Sequence, residues 1–270
     1  MKSRRVWIVV AGAGLASGLI AANAQEAAPH KITAQEVAEM LADPSANITY
    51  VNAAYRAYMD VGPENDVNQE LRLNGAGFLR MPDKSSVLYR AYLPLYSTDF
   101  PFDDEGVGDA LLSAYWVPTQ GTLILGLGGA LITPTASEDY FGTGKWSAGP
   151  TLVIAKKVPG KYTVGGLLTH VWSFAGNSDR GDVSLSTIQP AVTCFLNKKG
   201  TSATLASETT YNWNADEDPW QVPVTVGLNQ ILPPFGNYFV GVGVGASYYV
   251  EKADYAQEWD LRAVVSVVFP

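Results

Sequence analysis

The sequence predicts an all-β fold, a transmembrane antiparallel β-barrel of about twelve strands preceded by a signal peptide and a short helix. Three observations predict it. Apolar residues alternate with small or polar ones at period two over most of the chain, and the connectors between these segments alternate in length and charge. The composition is rich in aromatics and glycine but poor in charge, with 14 Tyr, 7 Trp, 26 Gly and 16% charged residues, against about 25% charged in soluble domains. A surface with that deficit does not all face water.

Residues 1–24 read as a secretory signal peptide. Lys2, Arg4 and Arg5 form a positive n-region, Val6 to Ile20 is an apolar run, and Ala22-Asn23-Ala24 is an A-x-A cleavage site before Gln25. The apolar core is short and exits through a cleavage site, which distinguishes it from a membrane anchor. Beyond it no uncharged apolar run approaches the roughly 20 residues of a helical span. Losing Lys2, Arg4 and Arg5 takes the net charge from −8 to −11, an acidic balance that argues against nucleic acid as a partner. The single cysteine, Cys194, excludes an internal disulfide framework and CxxC metal sites, and is read as a small apolar strand residue. No metal-ligand spacing is present, so neither metal nor cofactor is expected.

Residues 25–46 are expected to form a periplasmic N-terminal segment with a helix of about ten residues. Thr33 and Glu36 have capping-box spacing, Ala34, Val37, Ala38 and Leu41 follow at i, i+3, i+4 and i+7, and Pro44 ends the pattern. Three positions are open to this helix: at the periplasmic mouth, inside the barrel as a partial plug, or as an unattached amphipathic arm.

Residues 47–270 are expected to form the outer-membrane barrel, with strands near 47–60, 67–81, 84–97, 107–117, 121–133, 146–158, 161–175, 182–197, 201–214, 219–232, 236–250 and 258–269. The alternation is plainest in Trp220, Val222, Val224, Val226 and Leu228, and in Tyr238, Val240, Val242, Val244, Ala246, Tyr248 and Val250. Tyr238 and Tyr248 share the apolar face ten residues apart, a vertical separation of roughly 25 Å for a strand tilted by about 40°. That matches the spacing of two aromatic girdles, to which Trp220, Tyr238, Tyr248 and Phe269 are assigned. Connectors after even strands are short and often basic, as in Lys198-Lys199-Gly200, whereas those after odd strands are longer and acidic, as in Asp216-Glu217-Asp218. A soluble sandwich gives no reason for that asymmetry.

Assigning the less apolar face inward puts Arg56, Glu70, Arg72 and Arg90 in the lumen on three neighbouring strands, with Glu208 and Arg262 elsewhere around the wall. Closure of the last strand on the first brings Arg262 toward Arg56. Phe239 and Tyr249 offer inward aromatic contacts, and Gly126, Gly128, Gly241, Gly243 and Gly245 leave room inside. Such charges either filter solutes or form a salt-bridge network that fills a narrow barrel. The acidic loops are solvated tips, or bridge through divalent cations to lipopolysaccharide; none has calcium-loop spacing. Only His30 and His170 could serve as a catalytic imidazole. With no G-x-S-x-G, His170 is read as a girdle or lumen residue rather than the base of an outer-membrane lipase.

Several segments resemble a bacterial family of outer-membrane transporters catalogued under a meta-pathway of phenol degradation and sometimes misnamed "neuromedin U". They are LADPSANI, VGDALLSAYWVP, TPTASEDYFGTGKWSAGP, HVWSFAGNSDRGDV, TTYNWNADEDPWQVPVTVG and the ending WDLRAVVSVVFP, which run from about residue 36 to 270. The fourth strand is less aromatic than is usual for the family, and Pro270 stands without a trailing Lys. The resemblance implies an outer-membrane barrel that moves small hydrophobic or aromatic molecules, and it carries over no catalytic residues. Phe269, outward at the chain's end, also resembles the C-terminal signal read by barrel assembly machinery. The expected function is therefore a passive channel for small solutes, aromatic or hydrophobic ones included, set among outer-membrane lipids and lipopolysaccharide. The alternative is a non-conducting barrel that acts through its surface loops.

Overall fold

The computed structural model describes residues 32–118 and 121–270. The expected signal peptide and the first residues of the 25–46 segment lie outside the described residues.

Helix α1 spans Ala34–Ala42. Its capping box forms as the spacing requires: Glu36 N donates to Thr33 Oγ1 at 3.2 Å, and Thr33 N donates to Glu36 Oε2 at 2.7 Å. Such a cap stabilises a short helix by about 1 kcal/mol. Past the helix, the Ser45 amide and hydroxyl both donate to Asp43 Oδ1, which turns the chain toward the first strand.

Twelve strands follow: β1 Thr49–Val61, β2 Asp66–Arg80, β3 Ser86–Thr98, β4 in two pieces (Asp104–Val107 and Ala110–Val117), β5 Leu123–Thr133 and β6 Lys145–Val158. Next come β7 Tyr162–Gly176, β8 Ser184–Phe195, β9 in two pieces (Thr201–Ala206 and Thr209–Asn212), β10 Trp220–Ile231, β11 Phe239–Glu251 and β12 Trp259–Phe269. Each pairs antiparallel with its neighbours, and β12 pairs with β11 on one side and β1 on the other, from Thr49↔Phe269 to Met59↔Trp259. Closure leaves no free edge.

The expected strand positions hold within a few residues, but the connector asymmetry is weaker than expected. The β1–β2 loop is only residues 62–65, while the β10–β11 turn covers 232–238. The Asp104–Val107 extension of β4 was not anticipated. It pairs antiparallel with the end of β3, from Leu95↔Val107 to Thr98↔Asp104, and beside it Asp109 folds the loop 134–144: Thr143 N and Oγ1 donate to Asp109 Oδ2 at 2.7 and 2.8 Å, and Ala136 N donates to Oδ1 at 3.2 Å.

Outward faces carry exposed Leu123, Leu125 and Leu127 on β5, Val224, Val226 and Leu228 on β10, and Val244, Tyr248 and Val250 on β11. A band of that size is incompatible with water on every side and matches contact with hydrocarbon.

At the end of the barrel holding the even-strand turns, the interior is filled. Val37 and Ala38 of α1 are buried with Ile48, Ile231, Phe239 and Val268, so the helix lies inside the barrel beside β7, β8, β9 and β10, its apolar cluster taking in residues of β11 and β12. Lys157 Nζ meets Asp43 Oδ2 at 2.7 Å, Gly160 N donates to Glu39 Oε1 at 3.0 Å, and Tyr115 Oη donates to the Pro44 carbonyl at 2.7 Å. The opposite wall contributes a second apolar cluster, with Leu88, Tyr115, Val117, Ile124, Val153 and Ala155.

The inward glycines do less to empty the lumen than expected. A Cβ on Gly128 would stand 2.0 Å from the Ala114 carbonyl and 2.4 Å from Tyr115 Cα, while Gly126 lies under Tyr115 and Val117 and a Cβ on Gly243 would meet Asn229 and Val264. These positions let strands and neighbouring side chains approach closely. Because backbone cannot yield as a side chain can, Gly128→Ala is expected to destabilise the barrel by about 1–3 kcal/mol, read as a lower urea midpoint of tryptophan fluorescence. An unchanged midpoint would mean that the β4–β5 pair relaxes freely.

Candidate functional site

The even-numbered side chains of β1, β2 and β3 point inward, which stacks Arg56, Glu70 and Tyr96 in one row across the three strands, and Tyr50, Ala76 and Arg90 in another nearer the turn end. Above α1 and the apolar clusters these rows bound a cavity of about 710 Å³. Tyr96, Phe100, Tyr140 and Phe141 line it toward the loops, while Arg56, Glu70, Arg72, Glu208 and Arg262 line its interior.

The mouth is aromatic and fixed. Tyr96 stacks on Phe141 with ring centres 5.4 Å apart, Tyr140 sits edge-on to Phe141 at 4.6 Å, and Phe102 lies 4.9 Å from Tyr140. The Tyr140 phenol donates to the Asp104 carboxylate, tying loop 134–144 to the β4 extension. That bond pushes the Tyr140 phenol up to about 12 and holds the Asp104 carboxyl below its ordinary range.

Beneath the mouth lies a charged crossbar. Glu70, 1% exposed, receives Arg72 Nε at 2.6 Å, the Tyr58 hydroxyl at 2.5 Å and, more distantly, Arg56 at 3.8 Å. Glu208 reaches across the lumen from the gap in β9 to Arg56 Nη2 at 3.1 Å and Arg72 Nη1 at 3.2 Å, and also accepts from Gln189 Nε2. The Arg72 guanidinium also lies over the Tyr92 ring, 4.8 Å from its centre. Carboxylates this deep are tolerated only when their charge is matched, and each has two arginines.

The sequence placed Arg56, Glu70, Arg72, Arg90 and Arg262 on inward faces, and there they are. It did not anticipate that Glu208 spans the lumen. Arg262 stands opposite Arg56 in register, but its guanidinium turns to Asp260, with Nε–Oδ1 at 2.6 Å and Nη2–Oδ2 at 3.0 Å. Asp260, fully buried, was overlooked although it sits two residues before Arg262 in the same strand phase. Tyr249 faces the cavity and donates to Asp260 Oδ2 at 3.1 Å. Phe239 also points inward, but α1 covers it and it belongs to the apolar plug.

Outside, Tyr238 and Phe269 meet at 6.3 Å near the turns, while Tyr248 pairs with Trp259 toward the loops. Trp220 continues the loop-end set through Tyr211 at 4.6 Å and on to Trp213. His170 faces outward among them, 4.1 Å from Trp172. Its Nδ1 is 2.7 Å from Ser186 Oγ, which also accepts from Trp213 Nε1, and its Nε2 has no hydrogen-bond partner. A serine–histidine nucleophile needs a third group to orient the ring, and this pair has none among the described residues. Cys194 is also exposed on the outer face.

No protein-family model and no curated protein matches the chain. Among solved structures, an outer membrane channel from Pseudomonas putida F1 superposes with a TM-score of 0.64 at 16% identity, covering 90% of this chain and 99% of that one. The fold is that of outer-membrane channel barrels. The NanC porin aligns as well, with a TM-score of 0.53 at 9% identity over 82% of this chain and 99% of the porin.

Proposed function

We propose that the protein is an outer-membrane channel through which small solutes, aromatic or hydrophobic ones included, diffuse passively. One observation carries the reading: the interior holds a cavity of about 710 Å³ with an aromatic mouth, and a further cavity of about 210 Å³, bordered by the same Tyr50, Arg90, Leu167 and Gln189, ends against α1. A barrel built only as a scaffold has no need of aligned voids, since small barrels fill their interiors with side chains. The aromatic rings at Tyr96, Phe100 and Phe141 suit planar apolar solutes, in line with the aromatic-compound transporters that the sequence resembles. Export through the signal peptide, a lipid and lipopolysaccharide setting, and insertion guided by the β12 end belong to the same reading.

The packing of α1 inside the barrel favours a second reading, a barrel closed at rest whose loops act at the surface. Planar-bilayer recording separates the two. Discrete openings in the full mature chain, blocked by a phenolic acid, are the expected result. Silence that persists after residues 25–44 are deleted would reject the channel.

A further inference from the structure

We propose that Arg90 is the anion-binding residue of a solute site at the border shared by the two cavities, and that this site takes a small monocarboxylate with a compact apolar body. The proposal rests on the lumen being a solute path and names the class of solute.

Arg90 lines both cavities, together with Tyr50, Leu167 and Gln189. It is thus one of four residues that border both. Of the four lumenal arginines, Arg56, Arg72 and Arg262 are matched by Glu70, Glu208 and Asp260, with ion pairs as short as 2.6 Å. Arg90 has no carboxylate within 4 Å among the described residues. Its polar neighbours are the neutral phenols of Tyr50 and Tyr115, and Glu208, the carboxylate that acts on it from farther off, is committed to Arg56 and Arg72. The Tyr115 hydroxyl spends its proton on the Pro44 carbonyl, so toward Arg90 it can only accept. Among the described residues the lumenal arginines therefore exceed the carboxylates paired with them by one, and the unmatched charge lies where the two cavities adjoin. A guanidinium so placed presents its free N–H donors to a carboxylate in a planar, two-bond geometry.

The rest of the ligand is set by what lies beyond. The inner cavity is walled largely by apolar side chains, among them Leu41, Ile48, Leu88, Leu167 and Ala191, and the one carboxylate among its described lining residues, Asp43, is held by Lys157 at 2.7 Å. At about 210 Å³ it exceeds the roughly 150 Å³ that accommodates a benzene ring in an apolar protein cavity. One cation at the rim of an apolar chamber selects a singly charged head on an apolar body over a bare ion or a neutral ring.

The test is equilibrium binding of benzoate to the full refolded protein in detergent, by calorimetry, with acetate and benzyl alcohol as the partners lacking the body and the charge. Benzoate is expected to bind at least about tenfold more tightly than either. Arg90→Gln should lose about tenfold or more, the size of one charge-assisted pair, while Arg90→Lys recovers part of it. Ala191→Leu, which fills the chamber from its wall and spares the arginine, should weaken benzoate and leave acetate unchanged. Equal benzoate binding by wild type and Arg90→Gln, acetate as tight as benzoate, or no benzoate binding at all would overturn the site. Because binding is read without a membrane, the two ideas fail separately: a conducting channel indifferent to Arg90→Gln removes the site alone, and Arg90-dependent binding by a silent barrel removes the channel alone.

Discussion

Glu208→Gln is expected to shift ion selectivity toward anions and to lower the stability of the barrel together. Among the described residues Glu208 is the carboxylate that joins opposite walls, holding Arg56 at 3.1 Å and Arg72 at 3.2 Å. Removing its charge leaves four lumenal arginines facing Glu70 and Asp260 alone, so the excess of one positive charge becomes two. In a narrow lumen of low dielectric, one added unit charge on the path dominates the barrier that each ion meets. The reversal potential under a salt gradient should move toward the chloride limit. Breaking a fully buried pair costs about 3–5 kcal/mol; with Glu208 a quarter exposed and the amide still able to accept one hydrogen bond, about 2 kcal/mol is the reasonable figure. An unmoved reversal potential would place Glu208 off the ion path, and an unmoved urea midpoint would mean that desolvation cancels the pairing.

Val37→Asp should open the barrel. Val37 is fully buried in a cluster with Ile48, Ile231, Phe239 and Val268, so a carboxylate there is set among apolar side chains. The cost of burying it, several kcal/mol, exceeds what one or two small apolar side chains of α1 contribute, about 1.5–3 kcal/mol for a buried valine. The cheaper outcome is for the helix to leave the lumen while the strands, paired independently of it, persist. Conductance should rise severalfold and residues 33–46 should become cleavable by protease. Lys157→Ala, which removes a single anchor at Asp43, should do the same to a smaller degree. Unchanged conductance with the segment still protected would show that α1 stays seated despite the charge.

Much of the architecture was legible because barrel strands state their orientation locally. Each residue's face follows from its parity, so Arg56, Glu70, Arg72 and Arg90 were placed inside, and Trp220, Tyr238 and Tyr248 outside, with no knowledge of the sheet. The same parity assigns Asp260 beside Arg262. The helix was equally readable from Thr33, Glu36 and its apolar spacing, but its place was left open, since an amphipathic face does not say what it packs against.

By itself, then, the sequence determined an antiparallel barrel of about twelve strands and the closure of the last strand on the first, both consequences of period-two patterning and chain connectivity. Only the tertiary structure decided which side chains meet across the lumen: that Glu208 spans from β9 to Arg56 and Arg72, that Arg262 turns to Asp260, that α1 covers Phe239, and that Arg90 has no carboxylate within 4 Å among the described residues. Those outcomes depend on strand tilt, stagger and barrel radius, which set the height and distance of residues more than a hundred positions apart. No local pattern encodes such distances, so the identity of the unpaired charge emerges only once the barrel has closed.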